Sequence, residues 1–324
     1  MATVAINVNP SRQRAFSAME LTDQKIEPGD FFGTTSANHS FVWTFDGSEA
    51  VRVGVPDPDY RSQASVSAQS SLRDSLAGIP MFQNVEFIIH KMELKPGAYY
   101  RRMARPSSHH PLESPGVLPD YRQLSNTVMS ALNQLRALVR MLDDIVQSVH
   151  PTHNNMRCFG NGIRNLIILA STECEAQWRG ILDVNGINQK QLGTNDYVKL
   201  LKPMRLDEYQ IKLRHFPWLA GISPFSGWDA SSPTQSLGWY DDYNAIKHDR
   251  ENAFERATLS AAIKTICALW VLVAAQFGYR ALREFDDLER YFHLECVPLW
   301  RYSEIYTDFY VDQKAVVNPT NYPF

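Results

Sequence analysis

Asn244 and His248 stand four residues apart in the stretch from Trp239 to Phe277, WYDDYNAIKHDRENAFERATLSAAIKTICALWVLVAAQF, with Lys247 beside the histidine. On a helix that spacing stacks the amide and the imidazole on one face, and Lys247, at i+3, lies one step round. Histidine is the side chain whose two protonation states are both within reach near neutral pH, so the group suits proton transfer beside a stabilised negative charge. Asp249 and Arg250 follow directly and extend the polar cluster. The plainer alternative is a structural histidine bridging helices, on a helix face whose other charges are solvated or locally paired.

A second constellation lies at Glu173 and Glu175. Glu175 shares a helical face with Arg164 and Arg179, and the order Glu175 to Arg179 is that of a surface i,i+4 pair. Glu173 borders Leu166, Leu169 and Gln177 at the edge of an apolar stripe, where a carboxylate is costly without a partner. It is therefore expected to meet the Trp239–Arg250 segment and to orient His248. A third cluster, Tyr99, Tyr100, Arg101, Arg102 and Arg105, has the composition of a strand that stacks bases and touches phosphates; a strand edge kept soluble by arginines has the same composition. His109-His110 and His150-Pro-Thr-His153 have no carboxylate or thiolate partners at helical spacing, so no metal or other cofactor is expected. There is no GxxxxGK[ST] loop, GxSxG elbow, HExxH or CxxC pair, which leaves nucleotide hydrolysis, serine-hydrolase chemistry and zinc proteolysis without a motif.

The segment Asn244-Ala245-Ile246-Lys247-His248, set just ahead of a long C-terminal helix, resembles the active-site segment of the HEPN superfamily. Its members are helical bundles and often ribonucleases, with an Arg, commonly followed by Asn, and then a His after four to six residues. Asn244 and His248 match; Asp241, Asp242 and Tyr243 occupy the positions open to the motif's Arg. The resemblance implies a metal-independent endoribonuclease of toxin or antiviral-defence type. In it His248 moves the proton, while Asn244, Lys247 and Arg250, with Tyr243 in the same segment, hold the phosphate. It also implies a homodimer with the site between subunits. The alternative is a catalytically inactive helical module that binds a nucleotide, RNA or a protein partner.

The elements that must position these residues follow from periodicity. Leu259, Ile263, Ile266, Trp270, Val273 and Phe277 predict a helix with one core-facing stripe. Tyr121 to Val149 predicts a long helix ended by Pro151, and Gly162 to Leu182 a second, stopped at Asn185-Gly186. Shorter helices are expected over 195–202 and 206–214. Residues 215–238 predict an ordered loop, able to wall a pocket near His248. The expected fold is α+β: a strand-rich N-terminal region (1–105), a Pro-rich linker (106–119), a HEPN-like helical bundle (120–290) and an extended aromatic tail (291–324) that packs back on the N-terminal strands or on a partner chain. In the first region, alternation at Phe41–Phe45 and Val51–Val55 around Asp46-Gly47 predicts a hairpin. Val85–Ile89 and Ala98–Arg102 around Pro96-Gly97 predict another. Ser62–Ser75 reads as a short surface helix or a mobile loop.

The 324 residues, 44% hydrophobic and 21% charged with a net charge of −3, describe an ordinary globular chain. A polyanion would have to bind at local patches, and a protein partner is open to the strand-rich region. Four dispersed cysteines point to free thiols in a reducing compartment. No secretory signal is visible, and Ile266–Phe277 is too short to span a bilayer, so a cytoplasmic location without a membrane is expected.

Overall fold

A computed structural model describes residues 23–36, 40–54, 62–67, 69–107, 116, 118–120, 122–283, 285–311 and 314–324. His109-His110, Tyr121, Val55 and most of the Pro-rich linker lie outside the described residues. The architecture is mixed α+β, with an antiparallel sheet at the N-terminal end.

That sheet has the order β4-β3-β2-β1-β5, formed by β1 (Phe31–Ser36), β2 (Ser40–Phe45), β3 (Glu49–Val53), β4 (Gln63–Ser65) and β5 (Phe87–Lys91), all antiparallel. The alternation places Phe32, Trp43, Phe45, Phe87 and Ile89 in one cluster. There they meet Leu76 of α1 (Leu72–Ala77) and Phe82. The opposite face carries Val42, which packs with Met92, Trp300, Tyr302 and Ile305. A Cβ at Gly33 would collide with the Tyr302 ring, so the glycine is what lets the tail lie flat on β1. The expected second hairpin does not form. After Pro96-Gly97 the chain enters β6 (Ala98–Tyr100), which turns away from β5 and pairs in parallel with β11 (Asn318–Thr320), the last strand after β9 (Tyr310–Val311) and β10 (Lys314–Ala315).

Four helices build the other layer: α2 (Ser125–Ser148), α3 (Asn161–Val184), α4 (Gly238–His248) and α5 (Leu259–Phe277). Helix α5 packs against α2, α3 and α4. The expected single stripe is a correction: of its residues only Ser260 and Lys264 escape burial, because a helix that is apolar all round belongs at the centre of a core. Among the described residues it is the one helix long and apolar enough to cross a membrane, and 89% of that window is buried inside the protein.

Two further expectations change. Residues 206–214 form one 3-10 turn (Leu206–Glu208) and then strand β7 (Gln210–Leu213), paired with β8 (Phe292–Cys296), so this part of the tail is joined to the helical layer. The pattern of Ile211 and Leu213 inward with Gln210 and Lys212 outward has a period of two. The other change is that Tyr99, Met103 and Ala104 pack in the helices' core. Residues 215–238 are an ordered run of turns with Phe225, Trp228 and Leu237 buried, and Thr194–Tyr197 and Val198–Leu200 are helical. All four cysteines are free, Cys174 and Cys267 buried.

Candidate nucleic-acid site

Helix α4 forms because Trp239, Tyr240, Tyr243 and Ile246 give it one buried stripe, with Asp241 in its first turn and Lys247 and His248 in its last, matching the helix dipole at both ends. The stripe packs into an aromatic cluster centred on Trp178 of α3. Tyr197 stacks on that indole at 5.1 Å between centroids, and Trp228, Trp239 and Tyr240 lie within 5.3, 6.0 and 5.5 Å. The loop of residues 215–238 contributes Phe225 and Trp228 here, so it packs under the buried stripe of α4.

Hydrogen bonds from Tyr240 to Glu175 of α3 and from Trp239 Nε1 to the Pro224 carbonyl, at 2.9 Å, fix the rotation of α4, and one more forms within the helix. The Tyr240 hydroxyl donates to Glu175 Oε1 at 2.6 Å, and Lys247 Nζ donates to the Tyr243 hydroxyl at 2.9 Å while lying 4.9 Å from that ring's centroid. Burial and the Glu175 carboxylate push the Tyr240 phenol well up, so it stays a donor. The Tyr243 hydroxyl raises the Lys247 pKa, and Glu175 adds to this, so the ammonium stays charged. With that face held, Asn244 is half-buried at the surface and His248 is exposed one turn on, both on the outer side. The i,i+4 juxtaposition expected from the sequence is therefore present and faces solvent.

Asp249 ends α4 and its carboxylate caps the next turn, accepting from Asn252 N at 3.2 Å. That break carries Arg250 away from the α4 face and into a hollow of about 510 Å³ lined by Asn161, Arg250, Glu251 and Phe254. A neighbouring hollow of about 340 Å³ runs over Phe159, Gly160 and Gly162 at the start of α3. Phe159, 46% exposed, meets Phe254 edge to face at 5.7 Å between the two hollows. Asp241 and Asp242 both bind Arg256, at 2.5 and 2.8 Å.

Three sequence expectations are corrected. Glu173 does not reach the α4 segment or His248; its Oε1 accepts from Gln177 Nε2 at 2.5 Å, and its field acts on Arg102. Glu175 meets α4 instead, spending its oxygen on Tyr240 where a surface pair with Arg179 was expected, and Arg179 turns to the Tyr197 hydroxyl. The cluster at 99–105 is not an open base-stacking strand. Tyr99 is 1% and Arg105 3% exposed, and the Arg105 guanidinium lies among Tyr100, Trp300 and Tyr306 while donating to the Glu304 carbonyl. Arg102, at φ +53°, sends its guanidinium inward to the amide oxygens of Gln177 and Gln276, and burial lowers its pKa to about 10. Arg101 alone of the three arginines is exposed.

Asn161, Phe254, Phe159 and Arg256 were no candidates in the sequence, and Glu251 was one only as a charge of the polar break. The signal for Phe254 and Arg256 lay in the polar break between α4 and α5; Phe159 and Asn161 are distant in sequence and carried none. The His150 ring packs 5.1 Å from Trp218. Among the described residues no group of three or more His, Cys, Asp and Glu side chains is placed to share a metal ion. No protein-family model, curated protein or solved structure matches the chain.

Proposed function

We propose that the four long helices form a HEPN-like bundle and that the chain is an endoribonuclease of toxin or antiviral-defence type, cleaving RNA without a metal and working in the cytoplasm as a homodimer. The observation that carries this reading is the exposed Asn244–His248 face with Arg250 two residues on, lining the adjoining hollow. In the reaction the ribose 2′-oxygen bonds to phosphorus as His248 takes its proton. The bond from phosphorus to the 5′-oxygen breaks, and that oxygen takes a proton from water, leaving a 2′,3′-cyclic phosphate and a 5′-hydroxyl. Asn244 donates to the phosphate as its charge builds, and the Lys247 ammonium adds its field.

A second reading, an inactive module that binds RNA, a nucleotide or a protein partner, is favoured by one observation. Where the motif's arginine would stand, Asp241 and Asp242 are occupied by Arg256. The test is incubation of the purified chain and its His248→Ala form with total RNA in EDTA, with the product ends analysed. Cyclic-phosphate products that fall about 100-fold or more in the variant support the enzyme; equal inactivity of both forms supports the binder.

A further inference from the structure

The hollow at the Arg250–Phe254 turn has walls that phosphate cleavage alone does not call for. It is an open hollow of about 510 Å³. One wall is the Phe254 ring, held edge-on by Phe159 at an interplanar angle of 89°. The others are Arg250, Glu251 and Asn161, all exposed, and none makes a side-chain hydrogen bond or ion pair with a described residue. Of the charges around them, Asp241, Asp242, Asp249 and Arg256 are engaged, while Glu255 is exposed as they are.

A carboxylate beside a guanidinium repels a bare phosphate chain about as much as the guanidinium attracts it. The same pair next to an aromatic face and an amide suits a nucleobase: the ring stacks, the carboxylate accepts N–H donors, and the guanidinium and amide donate to ring nitrogens and carbonyl oxygens. Among the four RNA bases, guanine offers two adjacent N–H donors on one edge together with the O6 and N7 acceptors. We propose that this hollow is a guanine-binding subsite, with the base stacked on Phe254, its N1–H and N2–H groups on Glu251, and O6 or N7 on Arg250 or Asn161. In the ribonuclease reading it would take a base of the RNA held at the Asn244–His248 face. That role rests on the ribonuclease reading; the binding of the base does not.

Titration of the full chain with GMP, AMP, CMP and UMP by calorimetry tests this. GMP is expected to bind about tenfold or more tightly than the other three. Glu251→Gln, at an exposed position, is expected to weaken GMP by about tenfold while leaving AMP and the melting temperature unchanged. Equal binding of all four nucleotides, binding of none, or a Glu251→Gln form that still prefers GMP would overturn the subsite. His248→Ala separates the two claims. GMP preference kept while RNA cleavage is lost supports both, GMP preference in a wild type that never cleaves RNA leaves the subsite standing without the nuclease, and cleavage with no GMP preference leaves the nuclease without the subsite.

Discussion

At the scale of single residues, what separates the legible from the hidden is whether a partner lies within one helical turn. Asn244 and His248 fall together because the helix alone joins them. The helical wheel puts Glu173 and Glu175 on different faces but cannot say which of them a docked helix meets, and only the packed α4 shows that Tyr240 takes Glu175. Arg102 and Arg105 misled for a related reason, since arginine next to tyrosine has the same composition whether it faces solvent or is enclosed by rings. His90 gives a prediction at this scale. It is 3% exposed, bonded through Nε2 to Thr35 Oγ1 at 2.7 Å, and burial lowers its pKa to about 4 from 6.5. The unfolded chain therefore binds a proton there at pH values where the folded chain does not, and stability falls as pH drops from 6.5 toward 4. Urea titrations at pH 7 and pH 5 should differ by about 2 kcal/mol from this residue, and by correspondingly less in His90→Gln.

At the scale of elements, the long helices were readable because their apolar periods run for several turns, and their ends carry local signals such as Thr258. Its hydroxyl accepts from Ala261 N at 3.2 Å and caps α5. Thr258→Ala should cost about 1 kcal/mol, read as a lowered urea midpoint at unchanged slope. Because α5 begins where the Phe254 turn ends, the same variant is also expected to loosen the hollow. What misled was shortness. Residues 206–214 hold too few turns for a helical period to be told from the two-residue alternation of β7, and β6 was assigned to the nearest strand although its hydrogen bonds go to β11.

At the scale of the whole molecule, the C-terminal segment joins the two layers. Tyr302 lies on β1 at Gly33, the Arg205 guanidinium grips Glu304 at 2.6 Å, and the buried Tyr306 hydroxyl donates to the Met103 carbonyl at 2.6 Å while accepting from Tyr100 N at 3.1 Å. The aromatic spacing of this segment showed that it would pack, and its return to the N-terminal strands was one of two places left open for it. Its strand partners were invisible, since nothing local encodes a pairing across most of the chain. Tyr306→Phe keeps the ring but strands two backbone groups, and should cost about 2 kcal/mol, measured by denaturant unfolding. The parallel ladder between Ala98–Tyr100 and Asn318–Thr320 has a kinetic consequence. Parallel strands about 220 residues apart can meet only after a very large loop is closed, so the helices and the sheet can each condense early while the seam between them forms last, giving refolding a slow final phase.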